Sequence, residues 1–220
     1  GNFVVDGGTV KLDGNYPTGT DNVALGDTAL DSTTSGNCNT AIGNHAMTAN
    51  TEGSSNVAVG ESALDANTTG SSQVAIGRNA LGANTTSTGN VAVGAFTLLA
   101  NTTGGSNTGL GWQALTANTT ASNNTSVGAL SLLANTTGSD NVAVGKSALL
   151  TNTTGICNTS LGRTSMELNT TGSCNVAVGK DALSNNTTAC NNTAIGFQSM
   201  LANTTGGNNT AVGLCSLYNN

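Results

Sequence analysis

The stretch Asn141-Val-Ala-Val-Gly-Lys-Ser-Ala-Leu-Leu-Thr-Asn-Thr-Thr-Gly-Ile-Cys157 decides how this chain is read, because it recurs with little change along most of the sequence. Asn141 belongs to a series (Asn22, Asn39, Asn56, Gln73, Asn90, Asn107, Asn124, Asn141, Asn158, Asn175, Asn192, Asn209) spaced 17 residues apart. Each member is followed four residues later by a glycine, from Gly26 to Gly213. No insertion or deletion interrupts the series, and self-similarity at a fixed period is the signature of a repeat architecture. The unit is N-[V/T]-A-[V/I/L]-G-x-x-A-L-x-x-N-T-T-G-x-x, with positions counted from one to seventeen.

Comparing the occupants of each position assigns it an environment. Position four is always Val, Ile or Leu, and position nine is Leu except for Met47, Met166 and Met200. Leu and Met exchange at nearly constant volume, as a packed interior tolerates. Position two holds Val or Thr, both β-branched. Positions three and eight hold almost only small residues, so something approaches closely there. Charges gather at position six (Asp27, Glu61, Arg78, Lys146, Arg163, Lys180), and none falls at positions two, three, four, eight, nine or eleven. This predicts that those six positions pack inward and that position six faces water. The predicted core ladder includes Val59, Leu64, Val93, Leu98, Val144, Leu149, Val178 and Leu183.

A 17-residue unit is too short for a pair of helices, and its Gly and Asn-Thr-Thr-Gly would break a helix twice. Val-Ala-Val is a short alternating strand. The expected fold is therefore all-β: a parallel β-solenoid (β-roll or β-helix) of about twelve coils, stacked roughly 4.8 Å apart into a rod of about 55 Å. Each coil is expected to have a strand at positions one to four, a corner at Gly five and a second segment at Ala eight and Leu nine. An Asn-Thr-Thr-Gly turn closes it. Asn at positions one and twelve suits corners and can form amide ladders. Such a thin rod buries little per coil, so association with other copies is expected. Residues 22–220 form the solenoid, and residues 1–21 read as an N-terminal cap or docking strands. A chain opening on Gly1 without Met reads as processed or as a portion of something longer. The last unit stops at Asn220 with no cap in the sequence, so Val4, Val5, Val212 and Leu217 are candidate assembly residues. The Ala/Ser stripe at positions three and eight is expected to serve lateral packing.

The strings Asn141-Val-Ala-Val-Gly145, Asn175-Val-Ala-Val-Gly179 and Asn192-Thr-Ala-Ile-Gly196 are each followed by x-x-Ala/Ser-Leu/Met. They resemble the head repeats of trimeric autotransporter adhesins, and similar arrays occur in phage tail-fibre and other surface-fibre proteins. The resemblance covers residues 22–220, although the adhesin heads use a shorter unit. It implies a parallel β-roll in which three chains pack side by side, in an extracellular setting.

Composition narrows function further. Charged residues are 7% of the chain, with 5 Lys and Arg against 11 Asp and Glu, far below the ~25% of an average domain. No basic patch is available to neutralise phosphates, which argues against nucleic acid. No apolar run is long enough to enter a membrane as a helix. A single histidine, His45, cannot build a histidine metal site. No paired carboxylates, nucleophile elbow or phosphate loop occurs, so neither catalysis nor a cofactor is expected. Nine Asn-Thr-Thr triplets, at Asn67, Asn84, Asn101, Asn118, Asn135, Asn152, Asn169, Asn186 and Asn203, are formal N-glycosylation acceptors; a turn-and-ladder role accounts for the same residues. Cys157 and Cys174 share position seventeen in adjacent coils, within reach of a disulfide, although Cys190 competes for Cys174. Cys38 and Cys215 have no partner within one coil. His45, Phe96, Trp112, Phe197 and Leu214 sit at positions six and seven, the exposed corner. The sequence thus points to a non-enzymatic extracellular fibre segment, of surface-adhesin or virion-fibre type, whose partners are other copies of itself in a trimer or head-to-tail filament. The alternatives are a self-assembling filament subunit and a glycan- or ice-binding solenoid.

Overall fold

A computed structural model describes residues 19–219. Among them it has twelve strands and no helix, and all twelve strands form one parallel sheet in sequence order. The first, β1 (Val23–Leu25), pairs with β2 (Thr40–Ile42) in the register Val23↔Thr40, Ala24↔Ala41, Leu25↔Ile42. The same 17-residue register repeats up to β12 (Thr210–Val212). The parallel β-solenoid expected from the repeat is the fold of this chain. The cap and docking calls on residues 1–18, Val4 and Val5 included, lie outside the described residues.

Local chemistry explains the coil. Three residues of Val or Thr, a small residue and Val, Ile or Leu favour a pleated strand. Glycine five then ends it with φ between +126° and +141° at all twelve coils. This is conformational space that side chains rarely enter. Space closes the position as well: a Cβ on Gly145 would come within 2.6 Å of the Gly162 carbonyl in the next coil. Positions seven, nine and seventeen are also left-handed, with φ of +58° at Ser147, +51° at Leu149 and +56° at Cys157. Each such corner costs a non-glycine residue about 1–2 kcal/mol. Hydrogen bonds to neighbouring coils hold them, with Leu149 N donating to Ser165 O at 3.0 Å and Ser147 N to Ala129 O at 3.0 Å.

Position nine is the core as expected. Leu64, Leu98, Leu149 and Leu183, like Met47, Met166 and Met200, are fully buried. Leu217 in the last coil is 47% exposed. Positions two and four correct the expectation. Val144 is 36% exposed and Ile76 39%, while Val59, Val93 and Val178 are half-buried, so they form no interior ladder. Side chains alternate across a strand. Because Asn one and Ala three point in, residues two and four point out. The Ala/Ser stripe is likewise interior, with Ala143, Ala148, Ala177 and Ala182 fully buried. It is the close approach between a coil's own walls, and it cannot pack against another copy.

Interior exceptions are compensated locally. Thr97 replaces the usual Ala at position eight, and Gly109 replaces it at position three one coil on, where a Cβ would sit 2.6 Å from Thr97 Cγ2. Buried Ser126 and Ser160 donate to the carbonyls of Ser131 and Ser165 within their own coils at 2.9 and 2.8 Å.

Candidate assembly face

Two rows of asparagine form the polar half of the interior. At position one, Asn124 Nδ2 donates to Gly138 O at 3.0 Å, and its Oδ1 accepts from Asn141 N at 3.0 Å. At position twelve, Asn135 Nδ2 donates to Asn118 Oδ1 at 3.0 Å and to Gly138 O at 2.9 Å. The carbonyl of position fifteen thus takes one amide from each row, which fills both lone pairs. Gln73 is the one exception in the first row. Its longer arm still donates to Ser87 O and accepts from Asn90 N at 3.0 Å. Asn203 Oδ1 is the one buried side-chain atom without a partner among the described residues, and the next rung, Asn220, lies outside them.

This arrangement corrects the glycosylation reading. Asn67, Asn84, Asn101, Asn118, Asn135, Asn152, Asn169 and Asn186 are fully buried, and Asn203 is 1% exposed. The nitrogen a glycan would take donates to the neighbouring Asn and to the coil's own position-fifteen carbonyl, as at Asn67 to Asn50 Oδ1 and Gly70 O. Chain secreted folded from a glycosylating host should therefore carry no N-glycan at these nine sites. Intact-mass measurement before and after peptide N-glycosidase treatment checks this, and a shift would show coils modified before they close.

Outside, the sheet presents two parallel rows. Position two contributes Val or Thr and position four contributes Val, Ile or Leu from every coil, with no charge in either row. Contiguous exposed apolar surface of this extent marks an interaction site more often than bare solvent-facing sheet. The strand's own pattern carried the signal, since an Asn and a small residue two apart claim the inside and leave the apolar pair outside.

The position-six corner borders this face. Arg78 lies 4.9 Å from the Phe96 ring centroid and Lys180 5.1 Å from that of Phe197, each bridging adjacent coils. Lys180 also pairs with Asp181 at 3.0 Å. Partial burial pushes the Asp181 carboxyl up, but hydrogen bonds from Thr164 and Lys180 outweigh it and hold the group below its ordinary value. Trp112 is 51% exposed here, and Thr28 Oγ1 lies 2.8 Å from His45 Nδ1.

Cys157 and Cys174 stand on adjacent rungs as the register requires, and both are free thiols, as are Cys38, Cys190 and Cys215. Desolvation, with the Cys174 thiol and Asp140 beside it, holds the Cys157 thiol above its ordinary range. Cys190 Sγ instead accepts from Ser173 N at 3.3 Å, the role serine hydroxyls play at position sixteen elsewhere, as Ser139 does for Ser122 N. No group of three or more metal-ligating side chains and no helix long and apolar enough to cross a membrane occurs among the described residues.

Comparisons of the chain with models of known protein families, with curated proteins and with solved structures found no match.

Proposed function

We propose that this chain is a non-enzymatic, extracellular structural fibre segment that assembles side by side with other copies through the outer face of its solenoid. The observation that carries this reading is the uncharged double row at positions two and four, open along the rod. Its interior supports a mechanical role, because each coil ties to the next through backbone bonds at several corners and through both asparagine rows. The likeness to adhesin-head and tail-fibre repeats supports the extracellular setting.

Sedimentation velocity tests the reading. The parent chain should sediment as an oligomer at micromolar concentration. Replacing outward-facing Val93 and Val127 with Lys should weaken association at least about 100-fold, since each removes a Val worth ~1.5–3 kcal/mol when buried. The fold should survive, because both side chains are already half-exposed in the single coil stack. A parent that remains a folded monomer at tens of micromolar would overturn the proposal.

A further inference from the structure

The corner beside the apolar face carries its charge in two separate blocks, with Arg78 by itself in coil four. Coils one to three present Asp27, Asn44 and Glu61 at position six, and coils eight to ten present Lys146, Arg163 and Lys180, all exposed. Glu61 and Lys146 are five rungs apart, about 24 Å at the spacing of sheet strands. That exceeds the screening length in ~0.15 M salt, about 8 Å, so the blocks cannot stabilise one rod by attracting each other. Their separation does have a consequence between rods.

Two outer faces can pack with their rod axes antiparallel, related by a twofold axis along the strand direction. That operation leaves both position-six corners on the same edge. With coil one opposite coil ten, Asp27 meets Lys180 of the second copy, Asn44 meets Arg163 and Glu61 meets Lys146. Arg78 then meets Ala129, and Ala95 meets Trp112. At position six every meeting occurs twice by symmetry and no like charges oppose; at position seven Asp181, which pairs with Lys180 in its own chain, lies level with Thr28. On the other edge, Asp140 lies level with Gly89. Setting coil one against coil eleven instead brings Arg78 against Lys146. Parallel rods put each block level with its own copy and offer it no opposite block. We propose that the solenoid pairs with a second copy of itself in antiparallel orientation, in the register that sets coil one against coil ten.

This inference rests on the lateral-assembly reading and departs from the three-chain arrangement that the resemblance implies. The area is that of a small interface: ten rungs by three strand residues cover about 480 Å² per copy, below the ~800 Å² per partner of a standard interface. Complementary charge at the rim adds register and orientation more than affinity.

The test uses three forms of the 220-residue chain in sedimentation equilibrium, with circular dichroism to confirm that each is folded. The parent should be a dimer that weakens with salt. A reversal variant, Lys146→Glu with Lys180→Glu, should dissociate at least about tenfold more readily, losing four rim pairs of ~0.2–1 kcal/mol each and setting four like-charge meetings of similar size in their place. Adding Asp27→Lys and Glu61→Lys to that variant should restore the dimer to within about threefold of the parent. Restoration requires the two blocks to meet between copies, because they are too far apart within one. A parent trimer, no effect of the reversal, or equal weakening of the two variants would overturn antiparallel pairing while leaving lateral assembly standing. A monomeric parent would overturn lateral assembly itself.

Discussion

Leu149→Asp should destabilise the rod by about 5 kcal/mol or more, the largest effect expected of any single change in a middle coil. The side chain is fully buried in the position-nine row, between Leu132 and Met166. Deleting a buried leucine side chain alone costs ~2–5 kcal/mol, and a carboxylate with no cation in reach adds the penalty of an unpaired buried charge. Stability in a stacked repeat depends on nearest-neighbour interfaces, so losing coil eight should separate the rod into two independently melting parts. Two controls fix the interpretation. Leu149→Met should cost less than ~1.5 kcal/mol, because the swap conserves volume and Met occupies this row at 47, 166 and 200. Lys146→Asp, three residues earlier on the exposed corner, should change the melt by less than ~0.5 kcal/mol. Melts run well below the association concentration keep assembly out of the comparison. Equal loss from Leu149→Asp and Lys146→Asp would refute the assignment of position nine to the interior and position six to water.

The period, the parallel stacking and the position-nine core were legible in the sequence because one unit recurs without insertion. Any residue tolerated twelve times reports its environment twelve times. The direction of positions two and four was not legible from hydrophobicity alone. Val144 and Leu149 look equally apolar in sequence, yet the first is more than a third exposed and the second is sealed. What distinguishes them is parity with Asn141 and Ala143, both fully buried and two residues apart. The interior of such a coil is too narrow for apolar side chains from both walls, so the strand contributes Ala and the opposite wall contributes Leu. The asparagine rows were anticipated as ladders, but their depth was not. Reading Asn-Thr-Thr as an acceptor assumed an exposed turn, whereas only the second threonine of Asn152-Thr153-Thr154 is exposed. Thr153 is half-buried, its hydroxyl donating to Thr170 O at 3.1 Å.

Asn135 shows how much of the rod's cohesion lies in that polar row. Asn135→Ala should destabilise by about 2–6 kcal/mol, since the change orphans Asn118 Oδ1 and one Asn152 Nδ2 hydrogen, each worth ~1–3 kcal/mol when buried and unpaired. The Gly138 carbonyl would keep only its bond from Asn124. Thr137→Ala, on the exposed side of the same turn, should be neutral within ~0.5 kcal/mol. The near-isosteric Asn135→Asp separates hydrogen bonding from volume. An aspartate there would lose both Nδ2 donations, to Asn118 Oδ1 at 3.0 Å and to Gly138 O at 2.9 Å, and turn an acceptor toward each. Burial and these facing oxygens would raise its folded pKa above the unfolded value. Stability of that variant should therefore be greatest below the ordinary aspartate pKa and fall as pH rises from about 4 toward 7. Thermal melts at pH 4 and pH 7, against the parent at each pH, measure this slope. A melting difference independent of pH would show that residue 135 reaches solvent, and the buried asparagine ladder would then be wrong.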